Sequence, residues 1–281
     1  MDQPLVSVLM TAYNREEYIG EAIESVISSD YNNFELIIVD DGSTDNTALV
    51  AKRYAMIDRR ITVWVNSINK GQFENRNIAA SYAVGEYLKY LDSDDVIYPH
   101  SIGMMVDAMR KFPDAGLAFC LTHGPSKNPL PYRLDSKAAL QQHFFEGGLL
   151  FCGPSGLIIK SSAFKQVGGF EEFGMPSDNH FTLKIASLYP VVALSRDLFW
   201  WRQHPMQVFS LNNGNHLNIF NNYAFTKNIV GKHLCLTIAE KAKILRNQKR
   251  IFFLNILRLA TRRFAFRKAV ALLILYKKSA L

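Results

Sequence analysis

Cysteine is scarce here. Three residues, Cys120, Cys152 and Cys235, are scattered over 281 positions. That is too few and too dispersed for a disulfide framework or a CxxC metal site. A reducing compartment is the simpler reading, with the thiols as small buried hydrophobes. The seven histidines show no HExxH spacing, so a zinc site is not expected. No Gly-x-Gly-x-x-Gly follows the first apolar run, which argues against a nicotinamide or flavin cofactor, and no P-loop occurs. The amino terminus lacks a basic segment followed by an apolar one, so no secretory signal is expected. The longest uninterrupted apolar run near the end, Ala269 to Tyr276, is eight residues, against about 20 for a spanning helix. There is no internal repeat and no low-complexity segment.

Hydrophobic residues make up 48% and charged residues 20% of the chain. A packed core is therefore available and global disorder is excluded. The length suits one large domain, or a domain with an appendage. The formal charge of +7 is unevenly spread: residues 240–281 hold twelve Lys/Arg against one Glu, a net of +11, and the other 239 residues carry a net of −4. The basic character belongs to a tail.

Apolar runs at Leu5–Met10, Phe34–Val39, Ile61–Val65, Glu86–Leu91 and Gly116–Leu121 read as strands. Helical spacing covers Glu16–Ser28, a segment from Ser43 or Thr44 through Tyr54, Asn75–Ala83 and Pro99–Lys111. Strands alternating with helices give βαβ units and a mostly parallel sheet, with ligands at the strands' carboxyl ends. The polar residues gather at those ends: Thr11-Ala-Tyr-Asn14, Asp40-Asp41 and Asp92-Ser-Asp-Asp95. Residues 122–150 break the rhythm and read as a loop with a short helix. Beyond them lie a strand at 156–159, helices at Ser161–Val167 and Asp178–Leu188, extended segments at Val191–Leu194 and Phe199–Trp201, and helix from about Leu217 to the end.

Asp92, Asp94 and Asp95 fall within four residues. Two carboxylates about 4 Å apart repel by about 4 kcal/mol at an effective dielectric of 20. A divalent ion such as Mg²⁺ or Mn²⁺, shared with a substrate diphosphate, relieves that repulsion. Alternatively, Asp94 or Asp95 caps the helix near Pro99. Asp40 or Asp41 can accept from a base N–H or a ribose hydroxyl, or serve a turn. One of the pair is expected to be structural.

The segments Val6–Asn14, Ile37–Asp45, Asn69-Lys-Gly71 with Arg76-Asn77, and Tyr90–Asp95 come in order over about 95 residues. Together they resemble the family 2 glycosyltransferases of the GT-A fold. Val167-Gly-Gly-Phe170 and Arg202-Gln-His204 extend the resemblance to roughly residues 4–210. It implies an α/β fold with a Rossmann-like, mostly parallel central sheet flanked by helices, plus a C-terminal helical extension. The expected division is 1–215 for the catalytic domain, with a nucleotide-sugar half at about 1–115 and an acceptor half at 116–215, and 216–281 for the extension.

The resemblance further implies inverting transfer of a sugar, hexosyl or N-acetylhexosaminyl, from a nucleotide diphosphate to a hydroxyl of a glycan or lipid-linked acceptor. UDP is the family's commonest carrier, and Mn²⁺ or Mg²⁺ the expected metal. Carried over by position, Thr11, Ala12, Tyr13, Asn14, Asp40, Asp41, Asn69, Gly71, Arg76, Asp92 and Ser93 would line the donor site. Asp94 and Asp92, with His204, would hold the metal. Asp178 would be the base that takes the acceptor proton; Glu171 and Glu172 are nearby competitors, and an N-cap is the plainer role for Asp178. Arg76 could instead be a solvated helix residue, His204 a satisfied loop histidine, and at least one of Trp200 and Trp201 is expected to be core. The competing functions are a non-catalytic sugar-nucleotide-binding module and a sugar-nucleotide pyrophosphorylase, the latter lacking its Gly-rich triphosphate loop here.

In the tail, one helical arc carries Phe252, Phe253, Ile256, Leu257, Leu259 and Ala260. The opposite arc carries Arg250, Asn255, Arg258, Thr261 and Arg262. A basic amphipathic helix suits an anionic membrane surface. The expected location is therefore cytoplasmic, peripheral on the membrane. The alternative is a helix packed on the catalytic domain with its charges in solvent. No nucleic-acid motif is present, and no nucleic-acid partner is expected.

Overall fold

The computed structural model describes residues 3–122, 126, 128–174, 176–205, 207, 215–232, 235–262 and 265–280. Four strands, β1 (Val6–Ala12), β2 (Phe34–Asp40), β3 (Ile61–Val65) and β4 (Tyr87–Asp92), run parallel in the order β3-β2-β1-β4. Their connections are α1 (Ile19–Ile27), α2 (Thr47–Ile57) and α3 (Gln72–Ser81). Val8, Leu9, Met10, Leu36, Ile38 and Leu91 are fully buried. Continuous apolar runs are what strands covered on both faces require.

After β4 come β5 (Val96–Ile97), α4 (Ser101–Lys111), β6 (Leu117–Cys120), β7 (Tyr132–Leu134), α5 (Ser136–Glu146) and a 3₁₀ turn at Pro154–Gly156. Then follow β8 (Leu157–Lys160), α6 (Ser161–Val167), α7 (Ser177–Leu188), β9 (Val191–Leu194) and β10 (Phe199–Trp200). The main sheet has eight strands, ordered β3-β2-β1-β4-β8-β6-β9-β7; β8 runs antiparallel to both β4 and β6, and β10 pairs with β5 in a separate ribbon. The stretch read as a loop with a short helix holds that helix, 11 residues long, and an edge strand that the sequence did not suggest. Three residues of β7 are too short to display a period, and α5 buries only Ala139, Leu140 and His143.

The chain ends in α8 (Leu217–Lys232), α9 (Ile238–Arg262) and α10 (Phe266–Ala280). On α8, Phe225, Ile229 and Val230 join the main core, while Ile219, Phe220 and Tyr223 face a second cluster. That cluster contains Phe252, Ile256 and Leu259 of α9 and Ala269 and Leu272 of α10. The apolar arc expected on α9 therefore divides: Phe252, Ile256 and Leu259 turn inward, whereas Phe253 and Leu257 stay exposed. The side chain of Arg262, placed on the opposite arc, lies outside the described residues.

Candidate functional site

Register aligns the polar strand ends. Thr11 stands opposite Val39 and Asp92, and Ala12 opposite Asp40, so β1, β2 and β4 deliver their last residues to one edge. In a 3-2-1-4 order this edge is where an open α/β sheet binds ligands.

On the β1–β2 side the loops are tied to one another. Asn14 adopts a left-handed φ of 51°, a conformation asparagine tolerates. Its N–H donates to Ser43 Oγ at 2.9 Å, and its Oδ1 accepts from Thr44 N at 2.9 Å. Ser43 N donates to Asp40 Oδ1, so Asp40 shapes the turn. Asp41 accepts from Asn66 Nδ2 and Lys70 N at 2.8 Å and from Gly71 N at 2.9 Å. Asn69 Oδ1 also accepts from Gly71 N, at 3.0 Å. Both aspartates are buried and both organise loops. Tyr13 is exposed beside them, whereas Ser93 is buried after β4.

The next unit joins α3 to the Gly-Gly-Phe segment. Gly169 has φ +74°, and a Cβ there would lie 2.4 Å from Asn77 Oδ1. Glycine is needed on both counts. The close approach lets Asn77 Oδ1 accept from Phe170 N at 2.9 Å and Asn77 Nδ2 donate to Phe170 O at 3.0 Å. One residue earlier, Arg76 is 4% exposed and donates to Asp92 Oδ1 at 2.8 Å and to Asp178 Oδ1 at 2.9 Å. A solvated helix residue is thus excluded for Arg76. Asp178 sits in the first turn of α7 and makes no side-chain cap; the N-cap position belongs to Pro176. Burial raises the Asp178 carboxyl to about 6, Arg76 opposes the rise, and Asp92 adds to it. Burial opposes the charge of Arg76, but Asp178 and Asp92 more than offset this and raise its pKa.

Asp94 lies on the other side of Asp92. Its Oδ2 accepts from Arg15 Nε at 2.9 Å and is 3.0 Å from His204 Nε2. Nδ1 of His204 is buried without a hydrogen-bond partner; with the proton on Nδ1, Nε2 presents its lone pair beside the Asp94 carboxylate. Tyr18 packs on the His204 ring. Asp95 is buried and accepts from Ser155 Oγ and from Arg202 N. Burial and the charges of Asp92 and Asp94 push its carboxyl up. Neither Asp94 nor Asp95 caps α4, whose N-cap residue is His100. Trp200 and Trp201 are 45% and 47% exposed, so neither belongs to the core; Trp200 stacks under the Arg202 guanidinium.

The profile of glycosyl transferase family 2 matches residues 7–168. The chain belongs to that family. A family relative, the Escherichia coli UDP-Glc:alpha-D-GlcNAc-diphosphoundecaprenol beta-1,3-glucosyltransferase WfgD, is 39% identical over 111 residues, covering 40% of this chain and 43% of the relative. This chain is matched over 33–43% of the length of WfgD and two Haemophilus influenzae glycosyltransferases. Among solved structures, S. aureus TarS 1-349 in complex with UDP-GlcNAc superposes with a TM-score of 0.69 at 21% identity, over 88% of this chain and 72% of that one. The mannosyltransferase PcManGT from Pyrobaculum calidifontis, solved with GDP-Man and Mn²⁺, gives 0.66 at 17% identity over 99% and 76%. At these identities the two structures establish a shared GT-A fold.

For a family 2 chain the metal question turns on the donor set. Among the described residues no group of three or more His, Cys, Asp or Glu side chains is arranged around one point. Asp94 and His204 are the acid and imidazole in contact, while the Asp92 carboxylate faces Arg76. Two protein donors fit a divalent ion that takes its remaining oxygens from a diphosphate and water. The carboxylate is the kind of ligand that suits Mg²⁺ or Mn²⁺.

Arg15, Ser155 and Arg202 are site neighbours that the sequence motifs did not single out for a role, and Asp95 was read as part of the aspartate cluster or as a helix cap, not as a partner of Ser155 and Arg202. Arg15 flanks a quoted motif, and Asp95 and Arg202 lay within two others. Ser155 carried no signal, because a serine in a Gly-Pro-Ser-Gly turn looks like any other.

Proposed function

We propose that this chain is an inverting glycosyltransferase that moves a sugar from a nucleotide-diphosphate donor, UDP-linked by preference, to a hydroxyl of a glycan or lipid-linked acceptor in polysaccharide or glycolipid assembly. The observation that carries the reading is Arg76, which joins Asp178 and Asp92 through one guanidinium. Asp178 is the base: it takes the acceptor proton as the hydroxyl attacks the anomeric carbon opposite the leaving diphosphate. A carboxyl poised near 6 is ionised at neutral pH and more basic than an ordinary aspartate. Asp94 and His204, with Asp92 nearby, would hold Mn²⁺ or Mg²⁺, which when bound supplies charge stabilisation to the departing diphosphate. Arg76 and Arg15 add positive charge at the same edge. Thr11, Ala12, Tyr13, Asn14, Asp40, Asp41, Asn69, Gly71 and Ser93 shape the donor cleft.

The acceptor class is supported by the lipid-diphosphate acceptor in WfgD's name and the donor class by TarS with UDP-GlcNAc. Residues 1–215 would form the catalytic domain and 216–281 the extension. Among the described residues no helix is long and apolar enough to cross a membrane. Ile251, Leu254 and Leu257 of α9 and Phe266, Val270 and Ile274 of α10 face outward among Arg250, Arg258, Arg267 and Lys268. That mixture supports a peripheral seat on an anionic cytoplasmic leaflet, where each basic residue adds about 1 kcal/mol.

The test is a panel of nucleotide sugars with Mn²⁺, read by thermal shift and then by product formation with lipid-diphosphate acceptors. Stabilisation by one donor and transfer lost in Asp178→Asn support the reading. A folded protein that no nucleotide sugar stabilises sinks it.

A further inference from the structure

Strand β4 reads Tyr-Leu-Lys-Tyr-Leu-Asp, and its lysine lies wholly inside the protein: Lys89 is 0% exposed. A buried ammonium is costly unless its surroundings answer its charge. Both of its hydrogen-bond partners are main-chain carbonyls, Tyr90 O at 2.6 Å and Ser155 O. Two thiols, Cys120 and Cys152, lie close by. Burial pushes Cys120 up to about 12 and Cys152 up as well, so neither supplies a counter-charge at neutral pH. The negative charges acting on Lys89 are those of Asp95 and Asp92.

The link to those aspartates runs through Ser155. Its carbonyl accepts from Lys89, while its hydroxyl donates to Asp95 Oδ2 and accepts from Asp92 N at 3.0 Å. One turn residue is therefore held from below by the ammonium and holds the aspartate loop above. Burial lowers the Lys89 pKa to about 8, with Asp95 and Asp92 opposing the fall, and it stays charged at pH 7.

We infer that Lys89 is a positioning residue for the transfer reaction: the buried counter-charge of the aspartate cluster, which fixes the Pro154–Gly156 turn beneath it and sets the balance between binding a divalent cation and binding a diphosphate. This rests on the reading of the cluster as the seat of both ligands. Four carboxylates (Asp92, Asp94, Asp95 and Asp178) meet three arginines (Arg15, Arg76 and Arg202) at this edge. Lys89 supplies a fourth positive charge from inside the sheet. Removing it makes the edge more negative. A cation then binds more tightly and an anion more weakly. Loss of mere packing would weaken both.

The experiment is calorimetric titration at pH 7 of Mn²⁺ alone, and of UDP alone in the presence of chelator, into wild type, Lys89→Met, Lys89→Arg and Ser155→Ala. Lys89→Met should bind Mn²⁺ about tenfold more tightly and UDP about tenfold more weakly. Lys89→Arg should restore both affinities, and Ser155→Ala, which keeps the charge, should not produce the opposed shifts. Should Lys89→Met fail to fold by thermal melting, Lys89→Gln carries the same opposed signs. Shifts in one direction, or none, overturn the proposal while leaving the glycosyltransferase reading intact. A folded wild type that binds neither probe overturns both.

Discussion

The sheet edge and the C-terminal helices solve opposite problems. At the edge, charged groups are drawn inward and answered one by one: Arg76 by Asp92 and Asp178, Asp94 by Arg15 and His204. On α9 and α10 the charges remain in solvent, and apolar side chains such as Leu257, 57% exposed, remain there too. Partnered burial fixes geometry to a fraction of an ångström, as chemistry needs. Exposed greasy and basic residues fix nothing until a surface arrives. The difference separates side chains held in place by their partners from side chains left open to solvent.

The largest expected effect falls on the edge. Asp178→Asn should lower kcat by about 10²- to 10⁴-fold, the range for a general base, while UDP binding by calorimetry stays within a few-fold. Persistent transfer would remove Asp178 from the mechanism. Next is Arg76→Met, which leaves two carboxylates facing each other. Arg76 is buried but Asp92 and Asp178 are 31% and 28% exposed, so the loss should be that of charged hydrogen bonds, about 1.5–3 kcal/mol, read as a shift in urea unfolding.

The pH profile gives a third and smaller effect. A base must be deprotonated, so activity falls as pH drops through its pKa. With Asp178 raised to about 6, kcat/KM should decline about tenfold per pH unit below that value. A carboxylate at its ordinary value would hold the rate flat to about pH 5. Arg76 opposes the rise, so an Arg76 variant that still folds should move this limb to higher pH. Weakest at the active site, and decisive for the comparison, is Leu254→Glu with Leu257→Glu. Nucleotide binding should not change, whereas co-sedimentation with anionic vesicles at low salt should fall several-fold. Equal losses of both would merge the two regions into one function.

Much of the edge was legible because strand period and polar punctuation coincide there. Thr11, Asp40 and Asp92 each end an apolar run, and register alone aligns them. The Arg76–Asp178 pair was not legible: 102 residues separate the two, and nothing local to either names the other. Lys89 was hidden differently. Inside an apolar run it reads as a strand's tolerated exception, and only packing shows that it is enclosed. Within residues 122–150 the short helix was legible, whereas the three-residue strand Tyr132–Leu134 was not, because so short a strand leaves no periodicity to read. The tail was half legible: its helical arc was visible, but which residues turned inward depended on α8, a partner the local pattern does not specify.

The clasp between Asn77 and Phe170 has a consequence for protein engineering. It spans 93 positions, and the tight fit at Gly169 leaves no room for a side chain. The segments carrying Asn77 and Phe170 are therefore not interchangeable cassettes. A chimera grafting a relative's segment around Gly169 onto this chain's first hundred residues will work only where the incoming segment brings the same glycine to meet the same asparagine.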